Sequence, residues 1–183
     1  ALDAKVRLSL REEIRRLQQE LGITTLFVTH DQEEALSMAD RVAVMHAGRL
    51  EQCAAPSELY GRPATAFVAE FVGTMSRIPG RLVRDTVDVL GQRLAVDGPV
   101  PSSTEVDVLV RPEAVRVRAE ADGKSRVVAT SFLGAAVRVT VRLADGTEVK
   151  ADLPAHESAE LTAGAAVSVS LPERPVLVAE RTR

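Results

Sequence analysis

Residues 26–36 read Leu-Phe-Val-Thr-His-Asp-Gln-Glu-Glu-Ala-Leu. The nearly continuous apolar run from Ile23 to Val28 predicts a buried strand of a parallel sheet, and the acidic residues that follow predict a helix start. In an open α/β sheet, ligands bind beyond the carboxyl ends of the strands. His30 lies there, where an imidazole can donate a hydrogen bond to a phosphate oxygen or hold a reacting water. A lone histidine is more often structural, so the neighbouring residues must decide.

The chain before this stretch has the pattern of an amphipathic helix from Asp3 to Leu21. Its apolar residues recur at spacings of three and four and share one face. The other face carries Arg11, Glu12, Arg15, Arg16 and Gln19. Asp3 is the expected N-cap, and Gly22 is the expected stop. The apolar face consists of Val6, Leu10, Ile14, Leu17 and Leu21.

The helix after His30 has its own start signals. Asp31 is the expected N-cap. Glu33 and Glu34 suit the positive end of the helix dipole, and both are expected to be solvated.

A β-hairpin and two short helices are predicted next. The hairpin strands are Val42–His46 and Leu50–Gln52, which flank an Ala-Gly turn. The second short helix, Ala64–Val72, is expected to pack its phenylalanines inward. Cys53 is the single cysteine, so an intrachain disulfide is excluded, and it is expected to be a small buried residue.

Three runs of residues carry a family resemblance. They are FVTHDQEEAL at residues 27–36, ADRVAVM with the turn AGR at residues 39–49, and the Pro- and Phe-containing pattern at residues 56–73. Together they resemble the ATPases of ABC transporters, and the third resembles the end of the nucleotide-binding domain in importers. His30 matches the switch histidine of that family, which contacts the γ-phosphate of ATP, and is the implied catalytic residue. Ala1-Leu2-Asp3 matches the end of the D-loop, which implies that Asp3 binds at the nucleotide site across the dimer interface.

Several elements that precede the D-loop in that family do not occur in this sequence. They are the glycine-rich P-loop, the LSGGQ-type signature, the Q-loop and the Walker B Asp-Glu pair. We therefore expect the chain to be the carboxyl-terminal part of an ABC ATPase, starting after its catalytic glutamate. The full-length protein is expected to be an ABC-type ATPase that uses ATP and Mg²⁺. The chain alone is expected to bind no cofactor and to be inactive.

From Thr74 onward, the period changes from helical to alternating. Val137–Leu143 alternates apolar and polar residues, and Asp145-Gly146 predicts a two-residue hairpin turn. Many short strands with Gly, Pro and Asp between them predict a small barrel. Arg111-Pro112-Glu113 and Phe132-Leu133-Gly134 resemble the TOBE domain, a regulatory OB-type barrel. The other predicted strands are Arg81–Arg84, Arg93–Val96, Val106–Val110, Arg126–Thr130, Glu148–Leu153, Ala166–Leu171 and Val176–Ala179.

The expected fold therefore has two parts. Residues 1–73 are expected to form the α/β carboxyl-terminal part of an ABC nucleotide-binding domain. Residues 74–183 are expected to form an all-β, OB-like (TOBE) regulatory barrel.

The composition argues against several other functions. A net charge of −3 over 183 residues gives no sign of a nucleic-acid or anionic-membrane partner. Phe132 is the only aromatic residue after Gly73, so an aromatic platform for nucleic acid is missing. The three histidines and the cysteine lack the spacing of metal ligands, so no metal site is expected. No apolar run approaches the roughly 18 residues that a membrane helix needs.

The resemblance implies an ATP-hydrolysing importer subunit with several partners. They are transmembrane permease subunits, a second ATPase subunit in a homodimer, and a solute-binding protein. The location is expected to be cytoplasmic, on the inner face of the cell membrane. Phe71–Gly80 lacks the insertion that sugar importers often carry, which favours a polyamine, ferric iron or a phosphonate-like solute. The alternative is a free-standing module for dimerisation or for binding an oxyanion or sugar, without an ATPase role.

Overall fold

The structure, a computed structural model, describes residues 3–181. The chain divides into two compact units, one up to Ala64 and one from Thr65 onward. The boundary predicted from the sequence is Gly73. Residues 65–73, which were predicted to belong to the first part, therefore lie in the second unit. The assignment of the two parts to an ATPase domain and a regulatory domain stays a prediction.

The first unit begins with helix α1, which runs from Ala4 to Leu21 as predicted. The Asp3 carboxylate accepts a hydrogen bond from the Val6 N–H at 2.8 Å, and Gly22 ends the helix in the left-handed conformation at φ 62°. Both predicted caps are confirmed, and each satisfies backbone groups that a helix end leaves unpaired. Ala1 and Leu2, the other residues of the predicted D-loop, lie outside the described residues.

The predicted strand Ile23–Val28 is wrong, since this segment is irregular. Leu26 and Val28 are 92% and 86% exposed. A parallel strand exists only through hydrogen bonds to neighbouring strands, and no strand within residues 3–181 pairs with this run. The apolar face of α1 is exposed as well. The α/β sheet of the predicted fold is therefore not seen directly in the described chain.

The rest of the first unit is a helix, the predicted hairpin and a second short helix. Cys53 in this hairpin is exposed, so the prediction of a buried cysteine is wrong. Successive side chains of a strand point to opposite faces, and the neighbouring Ala54 takes the buried face. The elements are α2 (Gln32–Met38), β1 (Val42–His46), β2 (Arg49–Ala54) and α3 (Pro56–Gly61).

The second unit is mostly β, as predicted. Five strands close into a barrel, and five others form a second sheet that the sequence did not separate from it. The described elements are α4 (Ala66–Phe71), β3 (Ser76–Val83), β4 (Thr86–Val89), β5 (Gln92–Asp97), β6 (Glu105–Val110), β7 (Arg116–Ala119), β8 (Ser125–Phe132), β9 (Ala136–Arg142), β10 (Glu148–Pro154), β11 (Ala166–Ser170) and β12 (Val176–Glu180). The strand order is β12-β5-β4-β3-β6 in the barrel and β10-β9-β8-β11-β7 in the sheet. The small barrel is thus confirmed, whereas β4 and β7 were not predicted.

Valine side chains from the barrel and the sheet form one core. Val87 and Val106 of the barrel and Val139 and Val167 of the sheet are fully buried. In β9, the buried residues Val137, Val139 and Val141 alternate with more exposed polar residues, which is the pattern that the sequence predicted.

Helix α4 buries only one side. Val68 and Ala69 are fully buried, whereas Phe71 is exposed and stacks on Phe67 with the ring centroids 5.5 Å apart. The prediction that Phe71 packs inward is wrong. A helix of six residues presents one narrow side to the core, and here the smaller residues occupy it.

Two positions in the second unit favour glycine, Gly146 for its backbone conformation and Gly123 for lack of space. The β9–β10 turn comprises residues 144–146, since the Leu143 N–H donates to the Thr147 carbonyl at 2.8 Å, so the predicted two-residue turn is one residue too short. Gly146 completes this turn at φ 90°. Gly123 lies just before β8, and a Cβ there would stand 2.5 Å from the Val167 carbonyl oxygen.

Strand β8 has an edge that is only partly covered. β11 pairs with it at Ser125 and Arg126, and further along, β8 is paired within the described chain only by β9. Val128 and Phe132 lie in this open part, and Phe132 is 74% exposed. Residues 128–132 therefore present one row of backbone groups that can pair with another strand.

Candidate functional site

His30 lies in a short loop between the irregular apolar segment and α2. Its side chain is exposed. Asp31 caps α2, as predicted, because its carboxylate accepts hydrogen bonds from the N–H groups of Glu33 and Glu34 at 3.0 and 3.2 Å. The residue directly after His30 is thereby fixed to the helix.

The residue before His30 is anchored too. The Thr29 hydroxyl donates to the Glu34 carboxylate at 2.7 Å and accepts from the Asp31 N–H at 3.0 Å. Thr29 and Asp31 are therefore joined to each other and to α2. This arrangement fixes the backbone on both sides of His30 while its imidazole stays accessible to a ligand.

Arg11 of α1 binds both carboxylates of this loop. Its Nη2 donates to Asp31 Oδ2 and to Glu34 Oε1, each at 2.9 Å, and its Nε donates to Glu34 Oε1 at 3.3 Å. The side chains of Arg11 and Glu34 are only 13% and 20% exposed. The prediction that Glu34 is a solvated acid is therefore wrong.

The acids of this loop are held in their charged form. The pKa of Asp31 is lowered, chiefly by the hydrogen bond from the Glu34 backbone N–H and also by Arg11. The pKa of Glu34 is lowered by the hydrogen bond from the Thr29 hydroxyl and then by Arg11. Desolvation opposes the shift in both residues. Since a lowered pKa favours the folded state above the usual carboxyl range, these contacts persist at neutral pH and are lost as the pH falls through the lowered values.

Asp3, the other predicted site residue, lies at the start of α1. Along the helix axis it is about 12 Å from Arg11, since eight residues separate them at about 1.5 Å each. Its carboxylate caps α1. The structure therefore does not place Asp3 in the loop network, and its role at a dimer interface stays a prediction.

Sequence reasoning missed Arg11 as a functional candidate. Its partners lie 20 and 23 residues away, beyond any helical period. The sequence held one indication of such a contact. Several acids cluster at the start of α2, and a cation from another element would offset their mutual repulsion.

No metal-binding group is found among residues 3–181, where no three His, Cys, Asp or Glu side chains cluster suitably. In that same range, none of the helices is long and apolar enough to cross a membrane.

An open cleft in the second unit lies beside β5. It is lined by Gln92, Arg93 and Arg174, among others. The Gln92 amide exchanges two hydrogen bonds with the Leu171 backbone, and Arg93 is paired with Asp88. The polar groups of Gln92 and Arg93 are thus used within the fold, so this cleft gives little support to the small-ligand alternative.

Known proteins resemble this chain both in one domain and over most of its length. Residues 108–178 match the TOBE domain. The chain is 46% identical over 166 residues to a sulfate/thiosulfate import ATP-binding protein of Xanthomonas campestris, covering 90% of this chain and 48% of the relative. It is 45% identical to a spermidine/putrescine import ATP-binding protein of Marinobacter nauticus, over 82% of this chain and 44% of that protein.

An sn-glycerol-3-phosphate import ATP-binding protein of Cereibacter sphaeroides is also 45% identical, over 81% of this chain and 43% of that protein. The chain thus spans about half the length of the curated relatives that it matches. The similarity covers so much of this chain that it extends into the first unit as well as the second. Over most of its length the chain is thus similar to proteins named as import ATP-binding proteins, and its residues 108–178 match the TOBE domain.

Proposed function

We propose that this chain is part of the ATP-hydrolysing subunit of an ABC importer, which couples ATP binding and hydrolysis to solute uptake. The observation that carries the proposal is the loop at His30, where both neighbouring residues are anchored and the imidazole is exposed. The similarity to import ATP-binding proteins supports the same function.

In this proposal, His30 donates a hydrogen bond from its ring to an oxygen of the γ-phosphate. Bound ATP with Mg²⁺ supplies the phosphoryl group that is transferred to water. Asp3, at the start of α1, acts across the interface between two such subunits. The P-loop and the Mg²⁺ ligands do not occur in this sequence, so the remainder of the subunit has to provide them.

We further infer that the remainder of an α/β domain covers the exposed apolar surfaces of the first unit. The segment Ile23–Val28 and the apolar face of α1 are both uncovered. A run with this composition gains stability as a central strand with apolar side chains buried on both faces. Residues 1–73 would then form the carboxyl-terminal part of an ABC nucleotide-binding domain.

Comparing the chain with a complete subunit tests this function. Purified residues 1–183 are expected to hydrolyse no ATP, because His30 has no anchored phosphate to contact. A complete subunit that contains this chain is expected to hydrolyse ATP with Mg²⁺ present, as measured by phosphate release. Steady hydrolysis by the chain alone that disappears in His30→Ala would contradict the proposed division of roles.

The partners follow from the same proposal. The subunit works with transmembrane permease subunits and a solute-binding protein, on the cytoplasmic face of the membrane. Relatives of similar identity are named for sulfate, polyamine and glycerol-phosphate import, all charged solutes. This agrees with a charged solute such as a polyamine better than with a neutral sugar. A free-standing binding module is not favoured, because the similarity to ATP-binding proteins covers 90% of the chain.

We also propose that two copies pair through the second unit, along the open edge of β8. In antiparallel pairing centred on Thr130, the Thr130 residues of the two copies would lie opposite each other. Val128 of each copy would then lie opposite Phe132 of the other copy. Aromatic–β-branched and Thr–Thr pairs are favourable across strands. A specific contact of this kind would bury on the order of 1,200 Å² or more in total.

The substitution Phe132→Lys is expected to weaken this self-association at least about tenfold. A charged lysine on a strand edge opposes pairing with another strand. Sedimentation across micromolar concentrations measures the effect, with Val100→Lys as the control, since Val100 is an exposed apolar residue outside the strands. An equal effect of both substitutions, or a wild-type chain that stays monomeric, would reject the β8 contact.

A further inference from the structure

Arg11 connects α1 to both acids beside His30. One guanidinium nitrogen binds Asp31 and Glu34 together, and the neighbouring Nε adds a second contact to Glu34. Asp31 in turn holds the first turn of α2, and Glu34 holds Thr29. Each hydrogen bond described above for the loop around His30 therefore involves Asp31 or Glu34, the two residues that Arg11 binds.

We infer that Arg11 is a positioning residue for His30, acting through Asp31 and Glu34 without touching the nucleotide. The inference rests on the proposed catalytic function of His30. A displacement of about 1 Å at a reacting group can cost up to about a hundredfold in rate. Holding the loop backbone is therefore sufficient to make Arg11 important for turnover.

The geometry requires an arginine at this position. A guanidinium presents several N–H donors in a planar fork, so it can bind two carboxylates at fixed angles. A lysine ammonium is a point charge on a flexible stem and cannot hold both acids in the same way. Without a cation here, Asp31 and Glu34 would face each other as like charges, and the cap and the Thr29 contact would be strained.

The next arginine along α1 extends the same connection. Arg15 binds Asp40 through two hydrogen bonds at 2.5 and 3.2 Å, just beyond the end of α2. α1 therefore holds α2 near both ends. Arg16 differs, since it pairs with Glu13 and Glu20 of its own helix, which makes it a matched control of the same residue type.

The test uses a complete subunit that contains this chain. Arg11→Ala is expected to lower ATP turnover about ten- to a hundredfold, with little change in the KM for ATP. Arg11→Lys should recover only a small part of the loss. Arg16→Ala should match the wild type. Combining Arg11→Ala with His30→Ala should cost no more than His30→Ala alone, because an arginine that acts only through His30 has nothing left to position.

A local readout separates positioning from a general loss of stability. Amide hydrogen exchange of residues 29–34 should speed up in Arg11→Ala, while the strands of the second unit keep their protection. The inference is overturned if Arg11→Ala turns over like Arg16→Ala, or if its loss is undiminished in the His30→Ala background. If His30→Ala itself leaves turnover unchanged, the proposed catalytic function fails first, and Arg11 then has no reacting group to position.

Discussion

Replacing His30 with alanine is expected to lower the ATP turnover of a complete subunit about a hundredfold or more, the scale of removing one charge-stabilising group. The imidazole is exposed and the loop is held by Thr29, Asp31 and Glu34, none of which needs the His30 side chain. The fold should therefore stay intact. Phosphate release at saturating ATP measures the loss, and circular dichroism checks the fold.

His156→Ala is the matched control. That histidine side chain is 82% exposed and belongs to the second unit, whereas His30 belongs to the first. Its removal should leave turnover unchanged. Nearly normal turnover of His30→Ala at unchanged ATP affinity would refute the role of His30 and with it the main support for the proposed function.

The second large effect is expected for Gly123→Ala, which should destabilise the second unit by about 3 kcal/mol or more. The new Cβ would stand 2.5 Å from the Val167 carbonyl oxygen and 2.6 Å from its carbonyl carbon. Those are backbone atoms of β11, so the clash cannot be relieved by turning a side chain. The strand or the turn before β8 has to move, at the cost of core packing around the fully buried Val167. Thermal unfolding should show a lower Tm for this unit, by on the order of 10 °C.

Gly61→Ala is the control for this substitution. A Cβ at Gly61 meets nothing within 4 Å, and its φ is not in the left-handed region. Stability should change by less than about 0.5 kcal/mol, as expected at an unconstrained surface position. Equal Tm values for the two variants would show that β11 does not pass Gly123 as closely as described.

The sequence predicted the elements whose causes are local. α1 and its caps, the β1–β2 hairpin and the alternation in β9 follow from side chains within a few residues of each other. Ile23–Val28 has an equally strong local pattern but forms no strand, because a strand also needs neighbours. The four-residue strands β4 and β7 were not predicted.

The same distinction applies to the candidate site. His30 and the Asp31 cap were predicted, since a loop between an apolar run and a helix is visible in the sequence. The contact of Arg11 with this loop was not foreseen, because no period links Arg11 to acids 20 and 23 residues further on. Contacts between elements depend on how helices lie against each other, which one sequence does not encode in any local pattern.

The uncovered run Ile23–Val28 also bears on how a cell would treat incomplete copies of this protein. A segment without regular structure is accessible to proteases, and exposed apolar surface promotes aggregation, which chaperones counteract. Burying the segment in a sheet removes that exposure. In the proposed domain these six residues form a central strand. In a copy that lacks the rest of the domain, the same residues are exposed and favour degradation of the chain.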